Sequence, residues 1–264
     1  MPVVAVLIPA RRASTRLPEK LLLAESGQPL LEHTCRRAAL AFGAPAVAVC
    51  ADDQALVDIA RRAGVSAQLT DPAHQSGTDR VAEVARRLDA SVLVNVQGDE
   101  PEIDPEHIRL VAGLLERHPW AGMATLCVAG TSADQENPNA VKVILGHQGR
   151  ALYFTRAGAP FDRDRGGPAT HCHRHLGIYA YRREVLLGYA SLPPSRLESL
   201  EKLEQLRALE SGIGISCGVV AHAAAGIDTR ADYDAFLGRL RNPHATAATT
   251  PSSAHRSSSP TEAL

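Results

Sequence analysis

Aromatic side chains make up only 4% of the 264 residues. So few rings argue against a base-stacking surface for single-stranded nucleic acid. Neither sign of charge dominates, since 28 Lys and Arg stand against 29 Asp and Glu for a formal net charge of −1. A chain so balanced lacks the electrostatic footprint of a nucleic-acid or membrane-surface binder. Long hydrophobic runs are missing too. The stretch from Val3 to Ala10 is interrupted by Pro9 and is too short to span a bilayer. Basic residues follow it instead of preceding it, the reverse of a signal peptide. Cys35, Cys50, Cys127, Cys172 and Cys217 form no CxxC pair. An odd, scattered set is expected to stay reduced, in the cytoplasm. No internal repeat is present.

What remains is a globular chain whose apolar runs alternate with amphipathic stretches. Val3–Ile8, Ala46–Cys50, Val65–Leu69 and Ser91–Val96 predict four strands, the first and last buried on both faces. Helices are predicted from Pro29, over Asp53–Ala63, over Thr78–Leu88 and over Asp104–His118, with Pro29 and Pro105 at first-turn positions. This rhythm predicts an α/β single domain with a mostly parallel mixed sheet and helices on both faces. Further strands are expected at Gly122–Val128, Val141–Leu145, Ala151–Thr155, Cys172–Arg182 and Ile213–His222, and a last helix at Ala231–Leu240. Leu197, Leu200, Leu203, Leu206 and Leu209 predict one amphipathic helix facing the core. The domain is expected to span residues 1–241. Residues 242–264, rich in Ser, Thr, Ala and Pro, read as a disordered tail.

Open parallel sheets bind ligands beyond the carboxyl ends of their strands. The segment after the first strand runs from Pro9 and Ala10 through Arg11, Arg12 and Arg16 to Lys20. It matches neither glycine-rich phosphate fingerprint. It reads either as a solvated basic loop or as a cationic cradle for a polyphosphate. After the third strand, His74-Gln75-Ser76-Gly77-Thr78-Asp79-Arg80 reads as a tight turn with Thr78 capping a helix, or as a polar edge for a nucleobase. The fourth strand runs into Gln97-Gly98-Asp99-Glu100-Pro101. Asp99 is either a turn residue or a ligand for Mg²⁺, which favours one or two carboxylates plus substrate phosphates. His171, His173 and His175 would share one face of a strand, but a closed structural zinc site needs four ligands.

The segments VLIPARRASTRLPEK, DPAHQSGTDRVAEV, VLVNVQGDEPEI, NPNAVKVIL, ALYFTRAGAPFDRDR, RHLGIYAYRREVL, LEKLEQLRALESG and GIDTRADYD occur in this order. Together they resemble the 3-deoxy-manno-octulosonate (Kdo) cytidylyltransferases, from about Val3 to Leu240. The resemblance implies a nucleotide-diphospho-sugar transferase fold, a homodimer and Mg²⁺. It implies transfer of CMP from CTP to Kdo with release of pyrophosphate, giving CMP-Kdo for lipopolysaccharide synthesis. Carried over by position, Arg11 and Lys20 match triphosphate-binding residues, with Arg16 in the same loop. Pro9, Ala10, Gln75, Ser76, Gly77 and Gln97 fall on the CTP side. Asp99 and Asp228 match metal ligands. Gln97, Arg156, His175, Tyr179, Glu204 and Gln205 match sugar-site positions.

One position departs from the family pattern: Glu19 stands where the family's loop has Gly. If that backbone needs a positive φ, a non-glycine residue is strained there, and its carboxylate would lie beside Lys20. The chemistry asks little of acid–base side chains. It asks for positioning and charge neutralisation: carboxylates for metal, cations for phosphate, and Arg156 and His175 for the acidic sugar. Asp228 is free for such a role because Thr229 with Asp232 forms its own helix start. Two other readings fit the residues, a cytidylyltransferase for another acidic sugar and an inactive nucleotide-binding regulator. The paired Asp99 and Asp228 argue against the second.

Overall fold

A computed structural model describes residues 3–74, 76–169 and 171–242. The tail expected at 242–264 lies outside the described residues from 243 onward, as does Gln75. The first half is a run of alternating strands and helices. They are β1 (Val4–Ala10), α1 (Leu30–Phe42), β2 (Val47–Ala51), α2 (Gln54–Arg62), β3 (Ser66–Leu69), α3 (Gly77–Ala85), β4 (Val92–Asn95) and α4 (Pro105–Arg117). The second half holds β5 (Met123–Gly130), α5 (Ser132–Glu136), β6 (Lys142–Leu145), β7 (Ala151–Thr155), and the short pair β8 (Phe161–Asp162) and β9 (Gly167–Pro168). Then come β10 (Cys172–Arg182), α6 (Arg183–Gly188), α7 (Arg196–Glu201), α8 (Gln205–Glu210), β11 (Ile215–Val220) and α9 (Arg230–Arg241).

The main sheet runs β11-β5-β10-β4-β1-β2-β3, with the β6–β7 hairpin attached to β10. β1, β2, β3 and β4 are mutually parallel, as are β5 and β11; β10 is antiparallel between β4 and β5. Alternation along β1 explains why helices cover both faces. Val6, Ile8 and Ala10 enter a core with Leu30, Leu31, Val111 and Phe236, from α1, α4 and α9. Ala5 and Leu7 enter the opposite core with Val81, Val84, Leu186 and Leu206, from α3, α6 and α8. A strand buried on both faces therefore reads as a continuous apolar run.

The helix starts follow side-chain chemistry. Asp53 and Asp104 cap α2 and α4, accepting from Ala55 N and Glu106 N at 2.8 and 2.9 Å. Thr229 and Asp232 form a reciprocal capping box on α9, which leaves the Asp228 carboxylate free of capping. Two expectations need correction. The cap of α3 is Ser76, which accepts from Asp79 N at 3.0 Å, so Thr78 is not the cap, and Gly77 is simply the first helical residue. The leucines at 197–209 do not lie on one helix. Lys202 adopts φ 54°, ψ 46° and ends α7, so α8 starts anew and Leu200 is left exposed. The spacing of the leucines could not reveal that break, because Leu203 and Leu206 are buried on either side of the α8 start.

Candidate active site

Pro9, next to last in β1, meets the turn after β4. A Cβ on Gly98 would stand 3.0 Å from the Pro9 carbonyl oxygen, so this approach calls for glycine. The Gly98 carbonyl also accepts from the buried Thr34 hydroxyl of α1 at 2.9 Å. Asp99 is thereby fixed at the sheet's carboxyl edge. From the far side, Ile227 N donates to the Asp99 carbonyl at 3.0 Å and brings Asp228 alongside.

Lys20 joins the two carboxylates. Its ammonium donates to Asp99, to Asp228 Oδ1 at 3.0 Å and to the Ile227 carbonyl at 3.0 Å. Burial disfavours its charge, but Asp99 and Asp228 outweigh that and hold its pKa above the ordinary value. Arg16 adds a second cation on Asp228 Oδ1, at 3.0 Å. Lys20 is thus spent on carboxylates within the protein, not presented alone to an anion. The convergence has a further meaning: two hard oxygen donors already share one point of positive charge. That donor set fits Mg²⁺, which takes few protein carboxylates.

Glu19 takes φ 51°, ψ 31°, the left-handed region where glycine is favoured. Its carboxylate, however, is not beside Lys20. It accepts from Arg12 Nε at 2.7 Å, and Arg12 reaches on to Asp53 at 3.1 Å. Arg12 is therefore tied to the α2 side. Arg11, Ser14, Thr15, Arg16, Lys20, Gly77, Gln97, Asp99 and Asp228 line one cavity of about 370 Å³ with Pro9. Ala10 does not reach it, being fully buried. Ser76 is turned to Asp79.

Gln97 and Gly77 also border a second cavity, of about 230 Å³, with Thr78, Asn95, Tyr179, Tyr181, Tyr189, Glu204 and Gln205. Here the sequence-derived sugar positions 97, 179, 204 and 205 come together. Glu204 accepts from the Thr78 hydroxyl at 3.0 Å, while its carbonyl accepts from Tyr189 at 2.8 Å. Burial raises the Glu204 pKa, with the Thr78 bond and Arg207 opposing. Asn95 Oδ1 and Gln205 Nε2 are buried, at residues 4% and 5% exposed, and have no hydrogen-bond partner. An orphan acceptor and an orphan donor in one small cavity suit a ligand rich in hydroxyls. Asn95 was missed by sequence reading because an Asn inside an apolar strand reads only as interruption.

His175 sits apart from that cluster, on a third cavity of about 470 Å³ shared with Glu100, Arg174, Gly177 and Asp228. Two extra residues, Gly177 and Ile178, bulge β10 against β5 between Leu176 and Tyr179. The Thr125 hydroxyl donates to the Ile178 carbonyl at 2.7 Å, so its oxygen accepts from His175 Nε2 at 2.9 Å. That leaves Nδ1 as the acceptor of a neutral ring. Burial pushes the His175 pKa down to about 3. The ring is therefore neutral at pH 7 in the unliganded chain. Glu100, which sequence reading also passed over, is pushed up to about 8 by burial and then by Asp99.

Arg156 lies outside these three cavities. Its guanidinium donates to the carbonyls of Glu201 and Pro138 at 2.7 and 3.0 Å. The buried Lys142 ammonium braces the same region, donating to the carbonyls of Asn137, Ala140 and Arg156 at 3.0, 2.8 and 2.7 Å. His171, His173 and His175 form no metal-ligand group among the described residues.

The cytidylyltransferase family matches residues 5–215. A 3-deoxy-manno-octulosonate cytidylyltransferase of Thioalkalivibrio sulfidiphilus is 46% identical over 246 residues, covering 89% of this chain and 98% of its own. One of Rhodopirellula baltica is 46% identical over 245 residues, covering 90% and 98%. Among solved structures, a CMP:2-keto-3-deoxy-manno-octonic acid synthetase complexed with CTP superposes with a TM-score of 0.86 at 37% identity, over 91% of this chain and 99% of that one. A glucose-1-phosphate thymidylyltransferase of Bacillus anthracis, 13% identical with a TM-score of 0.64, shares the fold.

Proposed function

The chain belongs to the 3-deoxy-manno-octulosonate cytidylyltransferases, and from that premise we propose how its own residues divide the work. It transfers CMP from CTP to Kdo and releases pyrophosphate. The observation that carries the division is the meeting of Asp99, Asp228 and Lys20 between an arginine-rich loop and a cavity with unpaired polar atoms.

The triphosphate is assigned to the cavity of Arg11, Ser14, Thr15 and Arg16. Its charge attracts guanidinium groups that present paired donors. Asp99 and Asp228 would hold Mg²⁺, which when bound neutralises phosphate charge and lowers the pKa of the attacking hydroxyl. Lys20 then exchanges one anionic partner for another, because its ammonium is equally suited to a phosphate oxygen. The sugar is assigned to the cavity beyond Gln97, where Asn95 Oδ1 accepts from a hydroxyl and Gln205 Nε2 donates to one. The anomeric oxygen bonds to the α-phosphorus as the bond to pyrophosphate breaks, and the hydroxyl proton leaves to solvent. Orienting both substrates and neutralising the phosphate charge supply most of the acceleration such a reaction needs.

Five buried free cysteines favour a reducing compartment. No helix among the described residues is long and apolar enough to cross a membrane. Membership of the family carries the proposal of a homodimer, and Leu152, Phe161, Leu200 and Val219 are large apolar side chains left exposed. Light scattering of the purified protein tests that state.

Pyrophosphate release from CTP, Kdo and Mg²⁺ tests the reading. Wild type turns over, and Asp99→Asn and Asp228→Asn each abolish turnover while the protein stays folded. The double variant is little worse than either single one, because residues that act as a unit are non-additive. Near-normal, Mg²⁺-dependent turnover by Asp228→Asn would show that this carboxylate is only a chain-entry residue for α9.

A further inference from the structure

A second group of ligating side chains lies outside the cavities assigned to the triphosphate and the sugar, two of its members bordering the third cavity with His175. Asp104, His107 and His222 each offer one ligand atom, and the three atoms lie within 4.8 Å of one another. Two come from the start of α4, where Asp104 is the N-cap and His107 follows three residues later. The third comes from the irregular chain after β11. We propose that this triad binds a divalent first-row transition ion of the Zn²⁺ type, and that the ion clips residues 222–228 to α4.

The donor set decides the class. Two imidazoles and one carboxylate suit Zn²⁺ and its neighbours, whereas Mg²⁺ prefers oxygen throughout. The geometry is largely in place. Asp104 uses Oδ1 to accept from Glu106 N at 2.9 Å, which turns Oδ2 toward His222 Nε2 at 3.2 Å. Ligand atoms on a tetrahedral ion with bonds near 2.1 Å stand about 3.4 Å apart. The His107 and His222 rings are already neighbours, with centroids 5.3 Å apart and planes tilted by 43°. His107 is 7% exposed and held by the fold, while the His222 side chain is 72% exposed and free to swing in.

Nearby positive charge is largely occupied. Arg239 is paired with Glu102, Arg36 with Glu32, and Arg37 Nε donates to the Ile103 carbonyl. The positive end of the α4 dipole opposes a cation, and the Asp104 carboxylate at that end offsets it.

The clip has a mechanical consequence. Residues 222–228 carry no regular structure and lead from His222 to Asp228. Their far end is fixed by Ile227, which donates to Asp99 and accepts from Lys20, both at 3.0 Å. An ion at His222 would fix the near end as well.

The test uses the full chain, Co²⁺ or Zn²⁺ as probe, and excess Mg²⁺ to occupy carboxylate-only sites. It needs neither CTP nor Kdo, so its outcome is separate from that of the proposed reaction. Wild type should take up one Co²⁺ per chain with the visible absorption of nitrogen coordination. His222→Ala, at an exposed position, should weaken uptake at least about tenfold, the lower bound seen even for residues behind direct ligands. Asp104→Ser keeps a good helix cap and should weaken it likewise. His118→Gln, at the other end of α4, should bind as wild type does. Zn²⁺ should slow amide exchange across 222–228 in wild type and not in His222→Ala. No uptake by wild type, wild-type affinity in either ligand variant, or equal loss in His118→Gln would overturn the site. Unchanged exchange on Zn²⁺ binding would overturn the clip.

Discussion

Replacing His175 by Gln should remove a defined part of the protein's acid sensitivity. Burial holds the His175 pKa at about 3 in the folded chain, while an unfolded histidine titrates near about 6.5. The folded state therefore binds fewer protons than the unfolded state between those values. Stability from this group is fully present above about pH 6.5 and is lost as pH falls below it, by at most about 1.4 kcal/mol per pH unit. Integrated from pH 7 to pH 5, the loss is about 2 kcal/mol. A glutamine does not titrate, and its amide can still donate to the Thr125 hydroxyl, which the imidazole reaches at 2.9 Å. Urea denaturation at several pH values measures both proteins. His33 and His107, whose pKa values burial also lowers, remain in both and cancel in the difference. The wild-type curve should fall more steeply than the variant's through this window. Parallel curves from pH 7 to pH 5 would refute the neutral, buried imidazole, and with it the acceptor role of Nδ1.

Gly98→Ala places a methyl 3.0 Å from the Pro9 carbonyl oxygen, so it should cost about 1–3 kcal/mol and lower turnover by displacing Asp99; thermal melts and pyrophosphate release read the two effects. Lys142→Met takes the shared donor from the carbonyls of Asn137, Ala140 and Arg156 and should destabilise by about 1–3 kcal/mol, measured by chemical denaturation. Asn95→Leu should raise the Kdo KM while CTP binding by calorimetry holds, since the orphan oxygen lines only the cavity beyond Gln97; an unchanged KM would take Asn95 out of the sugar site.

What the sequence reveals follows the length scale of each interaction. The β1–β4 run with its helices was legible because buried parallel strands are continuous apolar runs and each helix start carries its own cap or proline. Asp99 and Asp228 could be placed at one sheet edge from topology alone. Their bridging by Lys20 could not, because it joins residues 79 and 208 positions apart. The break at Lys202 was hidden because a left-handed lysine has no local signature. The charge state of His175 was not legible, because it is decided by burial, with Phe154 and Tyr179 against the ring, not by its neighbours in sequence.

Glu19 shows how one strained residue serves the whole site. Its left-handed backbone turns the chain so that Lys20 begins the short helical turn Lys20–Leu22. Leu21 of that turn is buried and packs near Gly98, the residue that sets Asp99. The ammonium of Lys20 consequently leaves the turn pointing at both carboxylates. A non-glycine residue costs about 1 kcal/mol or more in this conformation, and the bond from Arg12 helps to hold it there. Glu19→Gly removes the backbone cost and the Arg12 contact together, but it adds freedom to the unfolded chain. If the conformation is what aims Lys20, the variant keeps turnover and CTP affinity, because glycine adopts it readily. If the Glu19–Arg12 pair is what aims it, both fall. Steady-state kinetics and calorimetry on Glu19→Gly, compared with Arg12→Ala, separate the two. The backbone argument requires that both variants leave the CTP affinity at or above the wild-type value.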